Sequence, residues 1–498
     1  MPASSPSITK SDPPGSAGVN RWLVLVVVCF AQFMVILDGT VVNVALPAIQ
    51  TDLGFASSDL AWVVNAYTLV FGGFLLLGGR AADLFGRKRL FVAGVALFSI
   101  ASLLDGLATS PGQLIVFRAI QGLAAALVSP AALSIITTTF DEGPDRTRAL
   151  GVWAAIAGIG LAFGLIIGGV LVETLSWPWI FMINVPVGIA VVFAALRYVP
   201  ESRIEGDHGG FDLAGAASVT GGLVALVYAI MQAGTEGWLS APTLGFAALA
   251  VVLIAAFFAI ERRHSAPLVR LGILKVRTLV AANGVVLLAV SGMFAMFFFT
   301  TLYFQQVLSY TPIEAGLAFL PFTVGIMGGS GVAQVLIKRI GLRATVVAGL
   351  VSTAAGLALM LRLTVGGSYV TEMLPSMALI AAGMGLVFVP VTLLATSGLD
   401  ADDQGLASGL FNTSQQFGGA LGLAVLSSLA ASRTDGLLSD LGSGATRAQQ
   451  LDALVSGYHV AFGVGAALMV VAALVAAALI RREDSAEVDV DEPVLVMA

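Results

Sequence analysis

The chain is organised as long apolar runs that are separated by short polar segments. Fourteen runs can be delimited, and most are about 18–25 residues long, the length at which a helix crosses the ~30 Å core of a bilayer. Polar and apolar residues do not alternate along these runs, as they would along membrane β-strands. Because lipid offers no partners for backbone polar groups, we predict an all-α polytopic membrane protein. The predicted transmembrane helices cover 22–44, 58–79, 88–108, 113–137, 148–171, 178–198, 212–232, 242–260, 277–304, 313–337, 343–362, 373–396, 404–430 and 455–480.

The composition supports a membrane protein and excludes several other classes. Hydrophobic residues make up 58% of the 498 residues and charged residues 11%, whereas soluble domains carry about 25% charged residues. A single soluble core stops growing near roughly 250–300 residues, so the excess apolar surface must face lipid. The chain has no basic stripe interleaved with aromatic residues, so we expect no nucleic-acid partner. One cysteine, Cys29, and three histidines leave no material for an intrachain disulfide and little for a metal site, so none is predicted.

The distribution of basic residues predicts the orientation of the chain. With both termini in the cytoplasm, 20 of the 24 Lys and Arg residues fall in cytoplasmic segments. External loops hold only Arg362, Arg433 and Arg447, while Arg118 lies inside a predicted helix. This is the asymmetry expected of a multi-pass membrane protein. Removing or adding one helix would destroy it, so we expect an even number of helices.

An internal repeat divides the chain into two halves. Gly86 at a short loop is echoed by Gly341, and Pro130 in the fourth helix is echoed by Pro390, at offsets of about 255–260 residues. Six-helix repeats related by an axis along the membrane normal are a known transporter architecture. We therefore predict a disordered cytoplasmic tail at 1–21, a six-helix half at 22–198, two inserted helices at 212–260, a second six-helix half at 277–480 and an acidic cytoplasmic tail at 481–498.

The loop between the second and third helices carries glycine, aspartate and basic residues at fixed offsets. Gly86 permits a tight turn, Asp83 can interact with a helix N-terminus, and basic side chains can anchor to anionic headgroups. The segment 79–89 resembles the signature loop of the major facilitator superfamily. The resemblance implies a cytoplasmic gate between the halves, although the basic residues could be topological anchors only. The gate residues are Gly79, Asp83, Gly86, Arg87 and Lys88.

The first helix contains a carboxylate inside an apolar run. Segment 37–47 resembles the first-helix motif of the fourteen-helix drug:proton antiporter branch of that superfamily, and Asp38 is its charged member. A carboxylate within a membrane is costly and marks a functional site by default. Asp38 lies roughly 24 Å along the helix from Trp22, so we expect it in the outer half of the membrane.

The fourth helix contains a buried cation. Segment 117–122 resembles the fourth-helix motif of the same antiporters, and Arg118 lies roughly 8 Å from the outer end of its helix. Asp38 and Arg118 can therefore share a depth, and an unpaired charge there would be expensive. We hypothesise that both belong to one proton-coupling network. Snorkelling of Arg118, or a purely structural pair, is the alternative.

The fifth helix is rich in glycine at regular spacings. Its pattern matches the antiporter signature helix, except that Leu165 replaces the expected proline. Small residues allow close helix approach, and a smooth face could slide as the halves rock. Simple small-residue packing is the alternative. The pattern comprises Gly151, Gly160, Gly164, Gly168 and Gly169.

Several uncharged polar residues fall inside predicted helices. Asn412, Gln415 and Gln416 recur every three to four residues and so share one helix face. In lipid such a face should turn inward, to a substrate cavity or to another helix. Asn43 and Gln121, within the antiporter-like motifs, complete the candidate cavity residues.

The resemblance implies proton-coupled export of small hydrophobic, in some cases cationic, compounds by alternating access. The energy source would be a proton gradient with no cofactor, since no Gly-x4-Gly-Lys-Ser/Thr phosphate loop occurs. We expect a monomer that is not an enzyme, in a bacterial plasma (inner) membrane. A proton-coupled importer would use the same fold. A lipid-modifying membrane enzyme would need clustered catalytic groups, for which only the aspartates near Asp400 are available.

Overall fold

The computed structural model describes most of the chain. The described residues are 20–141, 143–202, 212–264, 267–397, 399, 401–481 and 483–485. The predicted cytoplasmic tails therefore lie almost entirely outside the described residues, as does Asp400. Within the described residues the regular structure is helical.

Every predicted transmembrane segment is occupied by one helix or by two consecutive ones. Among the described residues, thirteen helical segments are long and apolar enough to cross a membrane, and the more polar α15 occupies the remaining predicted position, 404–430. The helices are α1 Arg21–Leu53, α2 Trp62–Phe85, α3 Arg87–Gly106, α4 Pro111–Thr139, α5 Pro144–Thr174, α6 Trp179–Met182, α7 Asn184–Tyr198, α8 Leu213–Glu236, α9 Ala241–Glu261, α10 Arg277–Leu302, α11 Pro312–Ala318, α12 Leu320–Ile340, α13 Leu342–Leu359, α14 Leu374–Thr396, α15 Ala401–Leu441 and α16 Arg447–Leu479.

The first helix is longer than predicted. It continues through Pro47 and ends at Gly54, whose φ of 71° provides the left-handed C-cap. Proline is tolerated inside membrane helices because neighbouring helices satisfy the freed backbone groups. Asp38 therefore lies near the midpoint of α1, and its expected position in the outer half of the membrane stays a prediction.

Helix α15 is more polar than the other long helices because its polar residues face helices on both sides. The Thr413 hydroxyl donates to the Gly72 carbonyl of α2 at 3.3 Å. The Ser414 hydroxyl lies 2.6 Å from Asn283 Oδ1 of α10. A Cβ at Gly422 would lie 2.3 Å from Ser291 of α10, so the two helices are in close contact there. α15 thus lies between a helix of the first half and a helix of the second.

The inserted pair α8 and α9 packs on the seam between the halves. A Cβ at Gly73 of α2 would lie 2.0 Å from Thr220 of α8. On the other side of α8, the Ser428 hydroxyl of α15 donates to the Ile230 carbonyl at 3.0 Å. Helix α9 packs against α8 and leaves apolar side chains such as Val251 exposed, as expected of a lipid-facing helix.

Candidate proton-coupling site and gates

Asp38 of α1 and Arg118 of α4 form a fully buried ion pair. Arg118 Nη1 lies 2.5 Å from Asp38 Oδ2, and the side chains are 1% and 0% exposed. Neither charged group reaches the protein surface, so Arg118 does not snorkel to the membrane boundary. A pair in this setting is held by geometry and by further hydrogen bonds, since desolvation offsets much of its attraction.

Two amide side chains complete the surroundings of the Asp38 carboxylate. Gln121 Nε2 donates to Asp38 Oδ1 at 2.8 Å, and Asn184 Nδ2 donates to the same oxygen at 3.0 Å. Both amides also donate to the Ser102 hydroxyl of α3, at 2.6 Å and 3.3 Å. Four helices, α1, α3, α4 and α7, therefore meet at one polar cluster.

The Arg118 guanidinium is held on every side. Its Nε donates to the Val63 carbonyl of α2 at 3.1 Å, and its Nη1 donates to Gln121 Oε1. The ring of Tyr67 lies 4.4 Å from the guanidinium carbon, at cation–π distance, and the ring of Phe181 lies 5.5 Å from it. Arg118 is fixed by four neighbours besides Asp38, so a change of its partner requires movement of the helices around it.

Sequence reasoning missed Asn184 and Ser102. Asn184 begins α7 where the predicted sixth helix is broken between α6 and α7, and it is 1% exposed. Ser102 lies inside an otherwise apolar α3. Isolated amides and hydroxyls are common in membrane helices, so nothing in their spacing distinguishes them. The break at Ile183 is seen only in the structure, so it offered no signal in the sequence.

The loop between α2 and α3 has a different arrangement from the one expected. Gly86 has a φ of 102°, which favours glycine, as its role in the turn requires. Arg87 Nη2 pairs with Asp83 at 3.1 Å with only 12% of its side chain exposed. Lys88 Nζ donates to the Leu196 carbonyl at 2.9 Å. The expectation of headgroup anchoring is therefore wrong for Arg87, and Lys88 also bonds to the protein.

Glu201 takes the position at a helix N-terminus that was expected for Asp83. Its carboxylate accepts from the Lys88 backbone N–H at 3.2 Å and pairs with Arg89 at 3.4 Å. A Cβ at residue 86 would lie 2.6 Å from Glu201 Oε1. Glu201 thus connects the start of α3 to the end of the first half. At Gly79, a Cβ would lie 3.6 Å from Pro130 of α4.

The glycines of α5 do not form a single sliding face. Cβ atoms at Gly160, Gly164 and Gly168 would lie 2.7 Å, 1.8 Å and 2.6 Å from side chains of α1. A Cβ at Gly169 would instead lie 2.5 Å from the Pro312 carbonyl of α11, in the other half. Gly151 has nothing within 4 Å. Three of the five glycines pack within one half, and one lies between the halves.

The comparison with known families decides the identity of this architecture. The profile described as Major Facilitator Superfamily matches residues 28–423, well over half of the chain.

The chain belongs to the major facilitator superfamily.

Several curated relatives are named as resistance or export proteins. The puromycin resistance protein pur8 of Streptomyces alboniger is 41% identical over 464 residues, covering 93% of this chain and 92% of the relative. The cephamycin export protein CmcT of Amycolatopsis lactamdurans is 42% identical, covering 84% and 87%. The tetracenomycin C resistance and export protein of Streptomyces glaucescens is 35% identical, covering 87% and 80%. These relatives confirm the antiporter-branch resemblance inferred from the motifs.

Solved structures show the same fold. An autoinhibited peptide transporter of the POT family has a TM-score of 0.66 at 17% identity, covering 93% of this chain and 97% of that one. A bacterial homologue of the lysosomal transporter Spinster has a TM-score of 0.64 at 16% identity, covering 92% and 96%. At these identities the likeness shows the major facilitator fold alone.

In this superfamily member α5 contacts α11 of the other half near the C-terminal end of α5. A Cβ at Gly316 of α11 would lie 2.4 Å from the Leu165 carbonyl, and the Ile313 N–H donates to Glu173 at 3.1 Å. Positions 151 and 158 share a helix face with Leu165 at seven-residue spacing, yet have nothing within 4 Å. The contact between these helices thus closes at the C-terminal end of α5 only.

Helix α1 contributes to the same closed end. Gln305 Nε2 donates to the Val44 carbonyl at 2.8 Å, and Gln306 Nε2 donates to Gln50 Oε1 at 3.0 Å. Both glutamines lie in the π-helical turn that extends α10. The helix that carries Asp38 is therefore bonded directly to the other half.

The five candidate cavity residues do not form one group. Gln121 is fully buried in the ion-pair cluster. Asn43 is half-buried and donates to carbonyls of its own helix, at 3.4 Å and 3.3 Å. On α15, Gln415 donates to Asn412 at 3.1 Å, and Gln416 lies against α2, where a Cβ at residue 72 would be 2.6 Å from its Cβ. Their lining of a substrate cavity stays a prediction.

Proposed function

We propose that this protein exports small hydrophobic compounds, antibiotics among them, across a bacterial plasma membrane in exchange for protons. The observation that carries the proposal is the fully buried Asp38–Arg118 pair with its amide donors. A transporter that only bound an apolar substrate would have no need for such a costly group. The relatives that are resistance and export proteins support export, and puromycin is the first compound to test.

The coupling follows from the chemistry of the pair. A proton that binds Asp38 abolishes the ion pair and leaves the Arg118 guanidinium buried, which is strongly destabilising. The cluster must then rearrange, and α1 is the helix that carries Asp38. Because α1 also bonds to Gln305 of the other half through Val44, a shift of α1 can reach the contact between the halves.

The arrangement of the halves supports alternating access. Helices α5 and α11 touch at the end of α5 that the charge distribution assigns to the exterior, whereas a Cβ at Gly151, nearer the cytoplasmic end, would have no described neighbour within 4 Å. A gap between these two helices on the cytoplasmic side would let substrate enter from inside. Substrate bound from inside would favour the opposite state, from which it leaves and in which a proton binds from outside.

The remaining parts of the proposal follow from this mechanism. Both termini lie in the cytoplasm, the proton gradient supplies the energy, and no cofactor or catalytic chemistry takes part. The protein acts as a monomer. Cationic substrates fit the mechanism because an acidic group changes its charge during the cycle.

The experiment is energised efflux from cells that express the wild type, Asp38→Asn or Asp52→Asn. Asp52 is an exposed carboxylate on α1 that accepts a hydrogen bond from Trp177 at 2.7 Å. The amide oxygen of an asparagine at this position could still accept that bond, so Asp52→Asn is the matched control. We expect puromycin efflux that a protonophore abolishes, that Asp38→Asn loses and that Asp52→Asn keeps. Protonophore-insensitive efflux, or accumulation of puromycin by the wild type, would contradict the proposal.

A further inference from the structure

A second carboxylate lies buried beside the ion pair. Asp105 is one residue from the end of α3 and is 0% exposed. Within the part of the chain that the structure describes, neither of its carboxylate oxygens has a hydrogen-bond partner. A buried polar group without a partner is rare and requires an explanation.

The surroundings of Asp105 place it at the polar cluster. Ser102 precedes it by one helical turn, so both lie on the same face of α3. The Ser102 hydroxyl accepts from Gln121 and Asn184, the two amides that also donate to Asp38. Gln121, which bonds to Ser102, also bonds to the Asp38 carboxylate and to the Arg118 guanidinium, so both charges lie near the face of α3 that carries Asp105.

The other helices packed on α3 bring little further charge. Tyr67 of α2 is the nearest ionisable side chain on that helix, and its hydroxyl has no partner among the described residues. Residues 179–193, which form α6 and most of α7, contain no titratable side chain. Asp105 therefore faces one cation, Arg118, which is already bonded to Asp38.

Burial and the lack of hydrogen-bond donors determine the protonation state of Asp105. An ionised carboxylate in a buried site without donors is far more costly than a neutral acid. One guanidinium and one ionised carboxylate, Asp38, already leave the cluster neutral. Asp105 therefore holds a proton in this conformation.

We propose that Asp105 is the second proton-carrying residue of the coupling site and passes its proton to Asp38. The O–H bond at Asp105 breaks, an O–H bond forms at Asp38, and Arg118 exchanges one carboxylate partner for the other. The guanidinium recovers a counter-charge only by moving from Asp38 to Asp105, and this movement is the rearrangement that protonation of Asp38 requires. Asp105 lies at the end of α3 that the charge distribution assigns to the exterior, between the outside and Asp38. This inference rests on the proposed function.

The first test is infrared spectroscopy of the purified protein, which needs no substrate. A protonated carboxyl group absorbs in the carbonyl-stretch region, apart from ionised carboxylates. We expect a band at neutral pH that Asp105→Asn removes and that Asp52→Asn leaves in place. A spectrum that Asp105→Asn does not change would show that the residue is ionised and would overturn the proposal, whatever the protein transports.

The second test is puromycin transport in proteoliposomes with and without a pH gradient. We expect Asp105→Asn to lose at least about tenfold in gradient-driven rate, since a positioned proton carrier typically contributes that much or more. Exchange of puromycin without a gradient should be kept, and Asp105→Glu should restore part of the driven rate. Loss of both activities would indicate a structural role, and an unchanged driven rate would exclude the relay; either result overturns the proposal. A wild type without gradient-driven transport would refute the proposed function instead, and the infrared result would still stand.

Discussion

Replacement of Arg118 by methionine removes the cation from a site that has no contact with water. Asp38 keeps the Gln121 and Asn184 donors, at 2.8 Å and 3.0 Å, but loses the guanidinium at 2.5 Å. Asp38→Asn makes the reverse change and leaves the guanidinium without its counter-charge. The two variants remove the same bond, yet the residue left behind differs in each.

The expected loss of stability in each variant follows from the charged residue that remains. Breaking a buried pair by removing one partner costs about 3–5 kcal/mol. Asp38→Asn should lie at the upper end, because a guanidinium cannot lose its proton in a protein. Arg118→Met should lie at the lower end and should cost less as the pH falls, because Asp38 can take up a proton. The double variant should be less destabilised than the sum of both, with a coupling energy of about 1–3 kcal/mol.

The assay is unfolding of the purified protein in mixed micelles, with the wild type, both single variants and the double variant measured at several pH values. Asp52→Asn is the control for loss of an exposed carboxylate on the same helix. Additive losses in the double variant would refute a direct interaction. A loss for Arg118→Met that does not change with pH would refute the explanation based on protonation of Asp38.

Three further predictions concern the gates and the cytoplasmic end. Gly316→Ala should lower the transport rate, because its Cβ would lie 2.4 Å from a backbone oxygen of α5. Gly151→Ala is the control and should transport at the wild-type rate, because its Cβ would have no described neighbour within 4 Å. Equal transport rates for the two variants would exclude a tight contact between α5 and α11. Gly86→Ala should cost about 1–3 kcal/mol, since φ is 102° there, and an unchanged melting temperature would contradict this. The Arg277 guanidinium donates to Asp484 at 2.6 Å and lowers the pKa of that carboxyl below its usual range. Its stabilisation is therefore complete above the ordinary aspartate pKa and is lost as the pH falls through the native value. Melting curves of the wild type and Asp484→Asn should converge in acid, and a constant gap would exclude the pair as the cause.

The helices were predictable because lipid leaves little choice of structure for a long apolar run. The errors lie where a local signal was overridden by tertiary contacts. The first helix was predicted to end at residue 44, but it continues through Pro47 to the Gly54 cap. The apolar run 178–198 gave one predicted helix, whereas the structure divides it into α6 and α7 at Ile183.

The charged members of the site were also predictable, since each charge in lipid requires a partner and only Asp38 and Arg118 matched in depth. The uncharged members were not. Asn184 and Ser102 acquire their role from the way α3 and α7 pack against α1 and α4, which no spacing in the sequence encodes. Glu201 was missed for a similar reason, because it reaches Lys88 across more than one hundred residues.

The most direct test of the account is the movement of protons as substrate leaves. Proteoliposomes loaded with puromycin and an internal pH-sensitive dye are diluted into puromycin-free buffer, with the wild type, Asp38→Asn or Asp52→Asn. Exchange of puromycin for protons predicts that the interior becomes acidic with the wild type and Asp52→Asn, and that it does not with Asp38→Asn. Puromycin that leaves the wild-type vesicles without any change in internal pH, or with the interior becoming alkaline, would contradict the account.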